Sequence, residues 1–302
     1  MTKVKTVPLQ NANTMSKRDL WLWRSVGIFG IIAIFIWAAV FRLGPRSTLR
    51  FHVFDIGQGD ALFIETPDRY QILIDGGPDG RVVHKLGSVM PFWDRKIDLV
   101  ILTHPHADHL SGLIDVLRRY RVGAIIESGA IYNTPEIGSW RREKEKQGLR
   151  SIAALAGITV SFGRDTTLKI LSPLANVSGR RFSNVHEADV VSELFYGSTT
   201  ILLTGDAEED LETDLIRRHL IAPVQILKVG HHGSRTSTSD LLLKTVRPEI
   251  AVISVGAKNS YGHPRAEILE RLKSFGIRIF RTDESGDLVF ESDGTKVMAD
   301  AR

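Results

Sequence analysis

The 302-residue sequence contains no cysteine. That absence excludes a disulfide framework, a thiolate zinc site and a cysteine nucleophile, so any metal site here must draw on His, Asp and Glu. Net charge is small as well: 39 Lys and Arg against 35 Asp and Glu leave +4 at pH 7. The basic clusters "RRYR" (118–121), "RREKEK" (141–146) and "GRR" (179–181) offer contacts to phosphates. Solvated helix faces explain them equally well, because acids are interleaved. Internal repeats and low-complexity segments are lacking. Histidine numbers only ten, yet three of the ten fall within six positions of one stretch. The composition, 43% hydrophobic and 25% charged, is that of a folded chain of one large domain or two ordinary ones.

Long apolar runs are scarce, and the one present is informative. Residues Ser25 to Phe41, "SVGIFGIIAIFIWAAVF", carry no charge and are bounded by Arg24 and Arg42. With "LWLW" (20–23) before it and Leu43 after it, the stretch is long enough to cross a bilayer as a helix. Trp21 and Trp23 suit an interfacial belt. A cleaved signal peptide fits less well: the charged lead and apolar core are both long, and no clear A-x-A site follows. A buried core helix would show an amphipathic pattern, which the run lacks. The expected organisation is a basic tail (1–19), a transmembrane anchor (20–43), a linker containing "GPRS" (44–50) and a globular domain (51–302). Lys3, Lys5, Lys17, Arg18 and Arg24 precede the span, and Arg42, Arg46 and Arg50 follow it. That bias places the N-terminus inside and the domain on the extracytoplasmic side of the cell membrane, as a single-pass protein.

From Leu49 onward, short apolar runs alternate with turn residues. "LRFHVFDI", "DALFIET" and "YQILIDGG" predict three consecutive strands, and "IDLVILT" (97–103) a strand buried on both faces. Helical periodicity follows in "DHLSGLIDVLRRY" (108–120). Further strands are expected at "GITVSF", "TLKILS", "VVSELFYG", "TTILLTGD", "VQILKVG", "EIAVISVG", "IRIFRT" and "DLVFES". Helices are expected near 207–219, 237–246 and 264–275. Two β-rich halves with helices at intervals predict two sheets covered by helices on their outer faces.

The dense histidine stretch is "LVILTHPHADHLSG" (99–112). Its "ILT" ends a strand, so His104 and His106, two apart on extended chain, point to one side. Asp108 and His109 fall where the helix begins, and the turn swings them toward the same point. Asp108 alone would read as a helix N-cap and His104 alone as a satisfied core histidine. Together, the four make a metal cradle of oxygen and nitrogen donors.

This segment resembles the metallo-β-lactamase fold superfamily. Within it, the match is to the hydrolase domain of the ComEC/Rec2 competence proteins and their free-standing relatives. The residues that carry the narrower match are "DIGQGDALFIETP" (55–67), "LIDGG" (73–77), "THPHADHLSG", "LLTGDAE" (202–208), "LKVGHHGSRTSTS" (227–239) and "NSYGHP" (259–264). They stand in the family's order over about 50 to 285. The resemblance implies a four-layer αββα sandwich with a site for two divalent metal ions at one edge, usually zinc and sometimes manganese.

By the same resemblance, Asp206 bridges the two ions. The first would take His104, His106 and Asp206, and the second Asp108, His109, Asp206 and His231. Adjacent His232 would hydrogen-bond nearby. Asp75 would orient ligands from behind, and Asp60 would do similar service or hold a turn. The superfamily's third histidine on the first ion would be His186 in "FSNVHEADVV" (182–191), or His186 is a loop residue. Ser234 and Arg235 either hold a phosphate oxygen or shape a loop. His263, in "YGHP", contacts the scissile group or protonates the leaving group if it is not merely a turn residue.

Two adjacent ions would make hydroxide available at neutral pH and clamp the attacking and leaving oxygens, with Asp108 and His263 at the reacting centre. Three functions are therefore open. One is a phosphodiesterase acting on nucleic acid or another phosphodiester, related to DNA uptake. Another is a hydrolase of a β-lactam, lactone or thioester. The third is a non-hydrolytic DNA-binding accessory of a DNA-uptake channel protein; intact core motifs argue against it. With one apparent span, the chain is not expected to form such a channel alone.

Overall fold

A computed structural model describes residues 16–43 and 47–301, and the side chains of these except 38–43, 300 and 301. Most of the expected basic tail, and positions 44–46 of the expected linker, lie outside the described residues. The chain forms two compact units, one N-terminal and one beginning at Arg46. The described residues of the first form the helix α1 (Lys17–Leu43), which starts three residues before the expected anchor. Its 17–37 portion has a mean hydropathy of 1.8 and no buried share, as a candidate bilayer span requires.

The second unit opens with β1 (Leu49–Val53), β2 (Leu62–Glu65) and β3 (Gln71–Ile74), followed by α2 (Arg81–Val89) and β4 (Lys96–Leu102). Next come α3 (Ala107–Arg119), β5 (Arg121–Glu127), α4 (Pro135–Lys146) and β6 (Ser151–Ala153). A second series runs through β7 (Thr159–Phe162), β8 (Thr166–Ile170), β9 (Ser192–Tyr196) and β10 (Thr199–Leu203). It continues with α5 (Glu209–Arg217), β11 (Ile226–Lys228), α6 (Asp240–Val246) and β12 (Ile250–Ile253). Helix α7 (Ala266–Ser274), β13 (Arg278–Arg281), β14 (Leu288–Ser292) and β15 (Val297–Ala301) finish the chain.

The strands form two sheets. One has the order β15-β14-β1-β2-β3-β4-β5-β6 and the other β13-β12-β11-β10-β9-β8-β7. Strands β14 and β15, last in sequence, thus complete the first sheet by pairing beside β1. Between the sheets lies one apolar layer that includes Phe51, Ile64, Ile101, Leu168, Ile201 and Phe290. A second core packs α2, α3 and α4 on the outer face of the first sheet, through Leu73, Val100, Leu113 and Trp140. A third packs α5, α6 and α7 on the outer face of the second sheet, through Leu202, Leu215, Leu243 and Ile268. The order is helix, sheet, sheet, helix, the four-layer α/β sandwich expected.

The expected strands and helices are present, and the structure adds α2, α4, β5, β6 and β15. Strand β5, "RVGAIIE", was hidden by Gly123, whose missing side chain lets the backbone of Asp98 approach; a Cβ there would meet the Asp98 carbonyl at 2.6 Å. Helix α4 contains "RREKEK", and its charges are employed: Lys144 pairs with Glu127, and Lys146 with Glu143 at 2.9 Å.

Candidate metal centre

Parallel strands β3 and β4, and β10, β11 and β12 in the other sheet, all end toward one edge of the sandwich. Loops leaving those ends carry the chemistry. After β4 the chain gives His104 and His106, then turns into α3 with Asp108 and His109 in its first turn. After β10 comes Asp206, and after β11 the pair His231 and His232. His186 arrives on a short 3-10 turn, Val185–Ala188, whose start is held by Asn184 Oδ1 accepting the His186 N–H at 3.1 Å.

The donors converge in interlocking groups. His104, His106 and His186 form one, and Asp108, His109 and His232 another; within each, the ligand atoms lie within 4.8 Å of one another. His104 Nε2 and His106 Nδ1 are 3.1 Å apart. Asp206 stands between the groups: Oδ2 is 3.4 Å from His109 Nε2 and 3.8 Å from His104 Nε2, and Oδ1 is 3.6 Å from His232 Nε2. His186 therefore lies with the cluster and not in a detached loop.

Both adjacent histidines reach Asp206. His232 Nε2 lies 3.5 Å from Asp108 Oδ2, while its Nδ1 donates to the Ser254 carbonyl at 2.9 Å. That backbone bond aims Nε2 at the cluster, the arrangement that second-sphere partners impose on ligating imidazoles. His231 forms a further possible ligand group with His186 and Asp206: its Nε2 is 3.8 Å from Asp206 Oδ2, and its Nδ1 is 3.5 Å from Glu208. Both residues occupy the left-handed region, with φ of 48° and 53°, so the chain reverses sharply and splits the two rings.

Ser234 and Arg235, just beyond this turn, have partners of their own. Ser234 Oγ bonds Thr236 Oγ1 at 3.1 Å, and Arg235 pairs with exposed Glu267 at 3.2 Å. Neither lines the cavity over the cluster. That cavity, of about 370 Å³, is bounded by Gln58, His106, Asp108, His186, Asp206, His231, His232, Tyr261 and His263. The ring of His263 lies 5.9 Å from that of His231 and stacks on Tyr261. Its backbone is clamped by Asn259, which accepts the His263 N–H and donates to its carbonyl.

A supporting layer lies beneath. Asp75 accepts from His109 Nδ1 at 2.8 Å and from the Thr103 hydroxyl at 2.6 Å. Asp60 is fully buried against Lys228 at 2.6 Å, with His232 Nδ1 3.4 Å away. Asp189 accepts the Asp206 N–H and approaches His104 Nδ1 at 3.5 Å. Sequence reading missed Asp189 and Lys228. A lysine inside the apolar strand "VQILKVG" was the available signal, since such a charge needs a buried partner.

Electrostatics follow from this crowding. Burial, and then neighbouring imidazoles, pushes His104, His106 and His186 down to about 4. For His109 and His232 burial acts the same way but is outweighed by carboxylates. Asp206 and Asp75 hold His109 well above its ordinary value, and Asp206 and Asp60 hold His232 up at about 9. Burial and the Asp206 charge push Asp189 up to about 7. Burial would raise Asp206 too, yet His232 and His109 keep it well below the usual carboxylate range. Among the described residues, Asp60, Asp75, Asp189 and Asp206 are buried beside a single buried lysine, Lys228. His109 Nε2, His232 Nε2 and Asp206 Oδ1 are buried without a hydrogen-bond partner and turned toward each other. Orphaned nitrogen and oxygen donors beside buried carboxylates fit a divalent cation.

A family model described as the metallo-beta-lactamase superfamily matches residues 54–257. The chain is 28% identical over 253 residues to "ComE operon protein 3" of Bacillus subtilis, covering 78% of this chain and 32% of that protein. It is 31% identical over 268 residues to "Recombination protein 2" of Haemophilus influenzae, covering 86% of this chain and 31% of that protein. The chain therefore spans about a third of the length of these curated relatives. Among solved structures, the metallo-beta-lactamase fold protein YhfI from Bacillus subtilis superposes with a TM-score of 0.54 at 16% identity, covering 80% of this chain and 99% of that one. The family match starts just after β1 and ends just after β12, taking in both halves of the donor cluster, and the chain belongs to the metallo-β-lactamase superfamily.

Proposed function

We propose that the chain is a membrane-anchored, binuclear metal-dependent hydrolase acting on a phosphodiester, with DNA foremost, in a process related to DNA uptake. The observation that carries this reading is Asp206 standing within 4 Å of His104, His109 and His232, members of both donor groups, beside a cavity that His263 lines. The fold implies divalent metal binding. Zinc is the proposed metal, with manganese the alternative, because the donors are imidazoles and carboxylates only. His104, His106 and His186 would hold one ion, and Asp108, His109 and His232 the other, with Asp206 common to both. When bound, such a pair supplies Lewis acidity and hydroxide at neutral pH.

The chain's own residues do the rest. Asp75 and the Ser254 carbonyl fix the imidazoles of His109 and His232, so their Nε2 atoms stay free to bind. Burial of the cluster limits competing water. His263 Nδ1 is buried without a partner at the cavity wall, placed to meet an anionic group or give a proton to a leaving oxygen. An all-nitrogen and oxygen site suits in-line attack on a phosphodiester better than opening of a neutral ring. Similarity to a competence protein of Neisseria gonorrhoeae supports a role in DNA uptake. The helix α1 would tether the domain to the bilayer, on the extracytoplasmic side by the charge bias of its flanks.

The test is hydrolysis by the metal-loaded chain of bis-p-nitrophenyl phosphate and of single- and double-stranded DNA, against a β-lactam and a lactone. Phosphodiester cleavage should vanish in His106→Ala and Asp108→Ala, while His263→Ala lowers turnover more than metal content. Fast β-lactam or lactone cleavage with no phosphodiesterase activity under several metals would reject the reading.

A further inference from the structure

We propose a second membrane contact: the loop carrying Phe92 and Trp93 docks on the lipid surface and holds the metal centre away from the bilayer. The proposal rests on α1 being a membrane anchor. Phe92 is 80% exposed and Trp93 57% exposed, and their rings meet edge to face at 4.8 Å. A soluble surface gains nothing from presenting two large aromatics together, whereas the water–lipid interface favours them.

Topology gives the location its meaning. Strand β1 begins at Leu49; Arg50 pairs with Glu65, Glu65 with Gln71, and Gln71 donates its N–H to Asp98 Oδ2. Leu49, the end of β2, the start of β3 and the start of β4 thus share one end of the first sheet. The Phe92–Trp93 loop leads directly into β4 at that end. Its Asp94 accepts from Gln71 Nε2 at 2.7 Å, tying the loop to the start of β3. The chain from α1 enters at this same end. Between Leu43 and Leu49 there are six peptide steps, which reach at most about 22 Å. A linker of that reach keeps the Leu49 end of the sheet within about 22 Å of the end of the anchor.

Charge agrees with this placement. Arg95, Lys96 and Arg121 are exposed beside the aromatic pair, the last held in register with Lys96 across β4 and β5. Asp98 faces Lys96, and Asp94 is engaged by Gln71 and by the Lys96 N–H. Arg95 lies over the Tyr120 ring, and Arg121 has no acidic partner among the described residues. Aromatics flanked by arginine and lysine match the headgroup region, where cations near an anionic surface are attracted. The histidines follow the opposite end of β4, on the order of 20 Å away for a seven-residue strand. The catalytic cavity would open away from the lipid, toward polymer in solution.

The absence of cysteine makes the test direct. In the full-length chain, Phe92→Cys, Ile31→Cys and Tyr261→Cys each give one site for a nitroxide label. The proteins are reconstituted in vesicles of phosphatidylcholine and phosphatidylglycerol, and accessibility to oxygen is compared with that to a nickel chelate. The expected result is a lipid-like ratio at position 31, an interfacial ratio several-fold above that of position 261 at position 92, and a water-like ratio at 261. Adding Trp93→Ser should bring the ratio at position 92 down to the water-like value. A label in lipid at 31 but in water at 92, with Trp93 intact, would overturn the docking and leave the anchor standing. A label in water at 31 would overturn the anchor and the docking with it.

Discussion

His231 and His232 are neighbours with identical chemistry, and backbone conformation alone gives them different surroundings. Side-chain identity could not separate them, because the left-handed turn that does so is set by packing of the whole loop. Lys228 shows a comparable dependence on its partner. Both Lys228 and Asp60 are fully buried, and burial would raise Asp60 if Lys228 and His232 did not hold it at about 2. Lys228→Met strands that carboxylate and should cost about 3–5 kcal/mol in urea unfolding. Adding Asp60→Asn should recover most of the loss; no recovery would show that the pair is not the cause. Glu193, on β9, gives a pH signature. Burial raises it from 4.5 to about 7, only partly opposed by Lys169. A carboxyl raised on folding leaves stability intact below pH 4.5, erodes it as pH climbs toward 7, and costs a constant amount above that. Glu193→Gln should therefore raise Tm by several degrees at pH 8 and leave it nearly unchanged at pH 4. Equal shifts at both pH values would refute that assignment.

At the scale of elements, the site is made by where strands stop. The apolar run "LVILT" followed by three histidines showed both the strand and its function, because period-two geometry puts His104 and His106 on one side. "TTILLTGD" was legible for the same reason. Elements read less well where their signal lay elsewhere: β5 contains a glycine, β15 is an edge strand paired only with β14, and α2 starts without a side-chain cap. The burial of Asp189, and the departure of Ser234 and Arg235 from the cavity, depend on loop paths that no local pattern encodes. Gly112 in α3 shows how tightly the helix is seated: a Cβ would meet the Gly76 carbonyl oxygen at 1.9 Å. Gly112→Ala should destabilise by about 1–3 kcal/mol despite alanine's better helix propensity, and should weaken metal affinity by shifting Asp108 and His109. In α2, a methyl group added at Gly87 would find nothing within 4 Å, so Gly87→Ala should be neutral or stabilising. Thermal melts and zinc titration distinguish the two; equal behaviour would contradict the packing argument.

For the whole molecule, four layers bring ligands from both sheets to one edge, so neither half can form the site alone. The family relationship and the sandwich were legible from motif order, since the motifs mark successive strand ends. The side of the membrane rests on five basic residues before the span and three after it. Protease added to intact cells or spheroplasts should digest the domain; protection until the membrane is broken would show the reverse orientation. The central claim, two ions joined through Asp206, is tested most directly by elemental analysis of the folded chain after zinc or manganese loading. Two divalent ions per chain are expected, with Asp206→Ala impairing both sites, His232→Ala leaving one ion and His231→Ala leaving two. Correctly folded protein that binds no divalent ion, or in which Asp206→Ala leaves both ions bound, would contradict it.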